Sequence, residues 1–593
     1  MERYKLNGLY TDKEPKDNPK ILFFDMETDG LDPTVIHCIV TLDNEGNINR
    51  YNWAKIGNML EGLEAVADAD MLIGHNIIAY DLPAIAKIHR GWETYACVRD
   101  TLLCTRLAWP HIRTSDYKDE NFDNKLAGSH SLKAWGIRLG FEKYSSGEQE
   151  NAWDEWTPEM EDYCERDVLV TQRLWQEYLK SGFPDEVLEF ESHVHDLMEL
   201  MTWRGFHFDV QGGEKLYVQF LKEREDLEKK LQDLFPPKEI QMKTKVKIAP
   251  FNPGSRLQIA ERFQEKGWKP AEFTSDGRPR IDEAVLDSLA EEHPEAKYLK
   301  NYLLIQKRMG QLAEGKSSWL GLVDEDQRIH GRVISCGGTV SHRMAHHSPN
   351  LSQVPALGSE YGEECRALFC APEGYKLVGV DLSSIELRVL AHYLAYWDDG
   401  KYARECEDGD IHAKTQAIVG LTERRQAKIF QFSLIYGAGN QHLGKIVGGG
   451  LKEGKALRKK FYSKNPAFKK FIEQVKHKAK TEKRLVALDG RPLYPRSLHS
   501  APNLLIQSAA AILAKRATLN HAAILMGRGI EIQKDFNLVA HVHDEWQLEV
   551  REEYAEETAA CAEEAIRAAG ELYNLRVRLD GEAKVGNNWA ETH

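Results

Sequence analysis

The 593-residue sequence has no run of about 18 consecutive apolar residues, which excludes a protein built on membrane-crossing helices. Its beginning, Met-Glu-Arg-Tyr-Lys-Leu-Asn, lacks the apolar core of a secretory signal. Cysteine is sparse: the nine residues include no Cys-x-x-Cys pair, so neither a disulfide framework nor a zinc ribbon is indicated and a reducing intracellular compartment is expected. Positive charge is not in excess, with 78 Lys and Arg against 92 Asp and Glu and a net charge of −14. That excludes a protein coating polyanions over its whole surface, although a local field can still draw in nucleic acid. No repeat of 20 to 50 residues and no low-complexity tract stands out. What remains is globular: 42% hydrophobic, 29% charged and 9% aromatic residues. At roughly 150 residues per domain, the length suggests about four core-sized units.

After a polar lead containing Lys13, Glu14, Lys16 and Asp17, the short apolar run Ile21-Leu22-Phe23-Phe24 reads as a buried strand. Alternating strand-like and helix-like pieces continue to Gly182-Phe183-Pro184, where a domain boundary is expected at about residue 185. Charge-laced helices follow to about residue 310, interrupted by a Pro/Lys-rich piece from Pro236 to Pro250 that reads as a basic loop. Strand-like runs return at Lys376–Val380 and Phe536–Ala540, with a helical block at 396–490 between them.

Asp25 and Glu27 lie two apart at the end of the first strand, and the strand period turns both carboxylates to one side. Paired like charges are costly unless a cation joins them, and hard divalent ions take oxygen ligands. Tyr80-Asp81 follows Gly74-His75-Asn76, and Tyr163 and Asp167 share a helical face at i and i+4. Alone, Asp-x-Glu is an ordinary solvated strand end; three such pieces in this order are far more specific. They resemble the three motifs of the DnaQ-like (RNase H-like) 3′→5′ exonucleases that proofread for DNA polymerases. The resemblance implies that Asp25, Glu27, Asp81 and Asp167 ligate two metal ions and that Tyr163 orients the attacking water.

Asp381 ends the strand Val378-Gly379-Val380 and precedes an amphipathic helix. About 160 residues later, His543-Asp544-Glu545 lies between two alternating runs, as at a hairpin tip. Adjacent strand residues point opposite ways, so Asp544 and Glu545 can share an ion only with a turn between them. Arg424, Lys428, Phe432 and Tyr436 recur every four residues and make one helical stripe, two cations followed by two aromatics. Such a stripe suits triphosphate oxygens at one end and a base or sugar at the other, though an ordinary basic helix with a buried aromatic edge reads the same way.

Together these pieces resemble motifs A, B and C of the family A DNA polymerases, and the segments Tyr302–Arg308, Gly331–Pro355 and Gly586–Ala590 resemble the T-seven-like phage replicative polymerases. The implied fold is α/β multidomain: an exonuclease domain at 1–185, then a right-hand polymerase domain at 186–593. Within the latter the thumb is expected at about 190–325, the palm at about 326–395 and 491–593, and the fingers at about 396–490. By the same resemblance Asp381 and Asp544 hold catalytic Mg2+, two ions per site with Mn2+ able to substitute, and Glu545 is an accessory acid. His412, Arg424 and Lys428 bind the triphosphate, Phe432 and Tyr436 meet the nucleotide and template, and Glu386 excludes a 2′-hydroxyl. Arg343, Asn503, Gln507 and His543 contact the primer-template. The implied substrates are primer-template DNA and dNTPs, in the cytoplasm, the host's if the gene is viral, with room for a helicase-primase or processivity partner.

Two departures from the phage pattern matter. Only Pro236–Pro250 stands where those enzymes carry a long insertion that captures thioredoxin, so such capture is not expected. Position 432 is Phe where they have Tyr, which by the family rule implies rejection of dideoxynucleotides. Lys452–Arg484, with thirteen Lys/Arg against three Glu and with Phe461, Tyr462, Phe468 and Phe471 interleaved, favours a phosphate backbone over a merely solvated face. Lys238–Lys247 is a shorter basic run of the same kind. The rivals are a single-subunit RNA polymerase, opposed by Glu386 and the exonuclease motifs, and a non-catalytic nucleic-acid scaffold, opposed by the intact set of acids.

Overall fold

A computed structural model describes residues 19–54, 56–141, 153–241 and 246–593; the polar lead and Lys243 and Lys245 lie outside them. The N-terminal unit is built on a five-stranded mixed sheet of β1 (Ile21–Thr28), β2 (Ile36–Asp43), β3 (Ile48–Asn52), β4 (Met71–Gly74) and β5 (Cys97–Asp100), in the order β3-β2-β1-β4-β5. β1 is paired on both edges, antiparallel to β2 and parallel to β4, and its apolar residues are buried in two separate clusters, as a central strand with both faces covered requires. Helix α1 (Asp81–Ile88) follows β4, and helix α2 (Pro158–Ser181) packs across β1 and β2. The local code for α2 is complete: the Thr157 side chain caps the Met160 N–H, Pro158 opens the first turn and Gly182 closes it at φ 65°. Met160, Cys164 and Val168, four apart, bury one stripe of α2 against Phe23, Cys38 and Val40.

Helix α3 (Asp185–Arg204) then enters the body of the molecule, and α4 (Val210–Leu234) packs along α5 (Ala296–Met309). Between them, the segment expected to be a basic loop forms an antiparallel hairpin of β6 (Lys238–Gln241) and β7 (Val246–Ala249). Ile248 in it is exposed, so no buried face marked it as a strand pair. A short hairpin of β8 (Arg332–Ile334) and β9 (Ala345–His347) follows.

The C-terminal body centres on a four-stranded antiparallel sheet. Its strands are β10 (Tyr375–Leu382), β11 (Phe536–Val542), β12 (Glu545–Arg551) and β13 (Gly581–Gly586), in the order β11-β12-β10-β13. Helices α6 (Ile385–Asp398), α7 (Ile411–Val419) and α8 (Arg424–Ile435) lie between β10 and β11 in the chain, followed by helices Leu451–Lys464 and Pro466–Glu482 and the long α9 (Ala501–Gly527). α10 (Ala555–Leu572) covers the sheet and packs on α9. In the basic block, Phe461, Phe468 and Phe471 are buried in the main core, with Tyr462 packed against it. These aromatics hold the two helices down and do not interleave with the surface cations as base-stacking groups.

A buried ion cluster ties distant segments together. Glu191 of α3 accepts hydrogen bonds from Arg491 at 2.6 Å and from Lys515 of α9 at 2.9 Å. Lys515 also donates to the Ser335 carbonyl at 2.7 Å. Burial opposes ionisation of Glu191, but Lys515 and Arg491 hold its carboxyl at about 2.

Candidate active sites

In the N-terminal unit, β1 carries Asp25 and Glu27, α1 begins at Asp81, and α2 brings Tyr163 and Asp167 over the same face. The side-chain oxygens of Asp25 and Glu27 and the Cys164 sulfur all lie within 4.8 Å of one another. Among the described residues neither carboxylate has a hydrogen bond or an ion pair. Burial and the mutual charge of Glu27, Asp81 and Asp167 push the Asp25 carboxyl far up. Burial, then Cys38, Asp167 and Asp81, raise Glu27 to about 9. Burial likewise brings Asp81 and Asp167 each to about 7. Tyr163 shares a hydrogen bond with Asp167, and burial raises its phenol. The five residues picked from the sequence therefore converge on an acidic nest with no protein cation against Asp25 or Glu27.

In the C-terminal body, β10 places Asp381 opposite Glu545 of β12 and Glu582 of β13. The tip joining β11 to β12 is a turn at His543, whose φ is 59°, and the Leu382 N–H donates to the Asp544 carbonyl at 3.0 Å. That turn is what the sequence required if Asp544 and Glu545 were to face one ion, and it ends where Glu545 opens β12. Burial, then Asp544 and Glu545, raise Asp381 to about 6. Burial also raises Asp544, against the opposing charges of Arg343 and His543.

Glu545 is occupied differently. Its carboxylate accepts from His593 at 2.9 Å, Gln547 at 2.8 Å, Arg366 at 3.4 Å and the Trp589 indole, and these partners hold it low despite burial. It anchors His593 while standing in register with Asp381, and its charge is felt by both Asp381 and Asp544. Arg366, Trp589 and His593 had no recognisable signal for this role in the sequence.

Glu386, at the start of α6, joins two other predicted residues: Arg343 donates to one of its oxygens at 2.6 Å and the Tyr436 hydroxyl to the other at 2.9 Å. Tyr436 caps the C-terminal end of α8 and is exposed, while Phe432 one turn earlier is half-buried against the core. At the other end of α8, Arg424 donates to Asp410 at 2.6 Å, which draws that carboxyl down to about 2. Asp410 is also the N-cap of α7, a signal readable from its position before Ile411-His412. His412 is buried and held by Gln431, whereas Lys428 is exposed and forms no ion pair among the described residues. Among the described residues no hydrogen bond or ion pair links Arg424 or Lys428 to Asp381 or Asp544, so the cations and the acids form separate walls. Asn503 and Gln507 lie one turn apart on α9, and the buried Asn503 side-chain oxygen has no hydrogen-bond partner.

A family model described as DNA polymerase family A matches residues 220–591. The chain belongs to DNA polymerase family A. It is 33% identical to a DNA-directed DNA polymerase of Enterobacteria phage T3, over 97% of this chain and all of that one. It is also 33% identical to a DNA-directed DNA polymerase of Escherichia phage T7, over 94% and 98% of the two chains. The T3 alignment runs over 709 positions, more than the 593 residues here, so that relative carries segments this chain lacks. A solved structure, the POL domain of Pol1 from M. smegmatis in complex with DNA primer-template and dNTP, superposes with a TM-score of 0.76 at 19% identity and covers 96% of each chain, showing a shared fold. As a family A enzyme of the phage T7 and T3 type, the chain is a DNA-directed DNA polymerase that depends on divalent metal. No described helix is long and apolar enough to cross a membrane.

Proposed function

We propose that the two acidic nests are separate centres of phosphoryl transfer. The C-terminal one extends a primer 3′-hydroxyl with dNTPs, and the N-terminal one removes nucleotides from the 3′ end as a proofreading exonuclease. In this reading residues 1–185 form a DnaQ-like exonuclease domain and 186–593 a right-hand polymerase, with thumb about 190–325, palm about 326–395 and 491–593, and fingers about 396–490. The observation that carries it is the pairing of Asp381 with Asp544 at one sheet end and the gathering of Asp25, Glu27, Asp81 and Asp167 at another. Acids crowded together with so little cationic compensation suit Mg2+, and the all-oxygen donor set of the polymerase pair fits it. Divalent ions held there supply charge neutralisation for the attacking and leaving oxygens.

The protein's own groups set position and selection. Glu386, gripped by Arg343 and Tyr436, is a rigid wall against a 2′-hydroxyl. Arg424, Lys428 and His412 meet the triphosphate, with Asp410 holding Arg424 until an anion displaces it. Phe432 and Tyr436 flank the nucleotide and template base, and Arg343, His543, Asn503 and Gln507 line the duplex. Glu545, in register with Asp381 and held by His593 and Arg366, serves as an accessory acid beside the pair and fixes β12. Tyr163 orients water in the exonuclease nest.

A cleft of about 560 Å³ lined by His75, Asn76, Arg106, His130, Gly337 and Gly338 lies between the N-terminal unit and the loop 335–344. That loop also carries Arg343, which reaches Glu386 in the C-terminal body. With the compact β6–β7 hairpin at 238–249, thioredoxin capture is not part of the proposal; a helicase-primase is a compatible partner. The test is primer extension and mismatched-primer degradation by Asp381→Ala and Asp25→Ala side by side. The first should lose only extension and the second only degradation; joint loss in one folded variant refutes two independent centres.

A further inference from the structure

The N-terminal nest contains sulfur as well as oxygen. Cys38 of β2 stands directly across from Glu27 in the β1–β2 register, and Cys164 lies beside Tyr163 and one turn before Asp167 on α2. Both thiols are fully buried and unoxidised, and they share a hydrogen bond with each other. The Cys164 sulfur is within 4.8 Å of carboxylate oxygens of both Asp25 and Glu27. Tetrahedral zinc holds its ligand atoms roughly 3.5 Å apart, so a closing movement of about an ångström would seat one ion among the three. Thiolate and carboxylate together rank zinc and cadmium far above magnesium, which takes oxygen.

We propose that Cys164, backed by Cys38, makes this nest a site for thiophilic divalent cations, which bind through sulfur and the Asp25 and Glu27 carboxylates and displace the ions that support primer degradation. Binding releases one proton from each thiol that becomes a ligand and changes no oxidation state. The sulfur ligand follows from geometry alone; only the loss of degradation rests on the exonuclease reading. Among the described residues no cysteine joins Asp381 and Asp544 in a comparable cluster, so the same cation should distinguish the two centres.

The experiment titrates cadmium into the full chain without DNA and follows the ultraviolet cadmium–thiolate charge-transfer band, then repeats this with Cys164→Ala, Cys164→Ser and Cys38→Ala. Primer extension, which uses the other centre, reports that each variant is folded. In parallel, zinc is added to mismatched-primer degradation in excess magnesium. The expected result is a saturable band in the parent that Cys164→Ala and Cys164→Ser abolish and Cys38→Ala weakens. Zinc inhibition of degradation should also require at least tenfold more zinc in the Cys164 variants. An identical band in parent and Cys164 variants overturns the sulfur ligand; a lost band with unchanged zinc sensitivity overturns its sharing with the carboxylates. If the parent degrades no primer at all, the exonuclease reading fails, and the band still decides the site.

Discussion

The two acidic nests are compensated in opposite ways. At the C-terminal sheet, Asp544 faces Arg343 and His543, Glu545 is saturated by Arg366, His593, Gln547 and Trp589, and only Asp381 is left, at about 6. In the N-terminal unit, Asp25 and Glu27 face acids and thiols; Glu27 sits at about 9, Asp81 and Asp167 at about 7, and Asp25 is pushed far up. A carboxylate cluster that builds its own counter-charges can stand ready without a metal. One that lacks them stays protonated until a cation arrives, so its ion occupancy is more sensitive to pH.

Several measurements would break or sharpen that contrast. The largest effect is expected from neutralising one central acid in each nest: Asp81→Asn should lower primer degradation, and Asp544→Asn primer extension, by about 10²–10³-fold, read in paired single-turnover assays. Glu545→Gln should act mainly on stability. It leaves the buried Arg366 guanidinium without its counter-charge, at a cost of about 3 kcal/mol, seen as a lower denaturation midpoint; an unchanged midpoint with abolished extension would make Glu545 a direct metal ligand. The N-terminal carboxyls, raised above their ordinary values of about 4, take up protons on folding. Their contribution is present below pH 4 and is lost as pH rises through about 7 to 9. In chelator, stability should therefore fall by on the order of 2 kcal/mol over that window, and manganese should flatten the slope; Asp25→Asn should flatten it without metal. With Phe432 in place, equimolar dideoxynucleotides should terminate few chains, and Phe432→Tyr should raise termination at least tenfold. The smallest effect is Asp410→Asn, which frees Arg424 from an exposed, solvent-screened ion pair and should shift the dNTP KM only a few-fold.

The legible parts of the molecule were those encoded over a few residues. The strand period put Asp25 and Glu27 on one side, the alternating runs around His543 announced a hairpin, and the stripe from Arg424 to Tyr436 is one helix and its cap. The β6–β7 hairpin escaped notice because its strands are short, charged and largely exposed, so they carry no hydrophobic alternation. The partners of Glu545 escaped notice because Arg366, Trp589 and His593 reach it from other parts of the chain. The basic block read as a phosphate-binding or a solvated face, and only the placed helices showed that Phe461, Phe468 and Phe471 belong to the core. Cys164 looked like a spacer within Tyr163-x-x-x-Asp167; only the approach of α2 to β1 set it against the acids.

The cluster of Glu191, Arg491 and Lys515 also has a consequence for biosynthesis. Glu191 emerges 300 residues before Arg491 and 324 before Lys515. Until those cations are translated, its carboxylate must remain hydrated, because burying it alone would cost several kcal/mol. Helix α3 therefore cannot take its final seat until the chain has been made through Lys515.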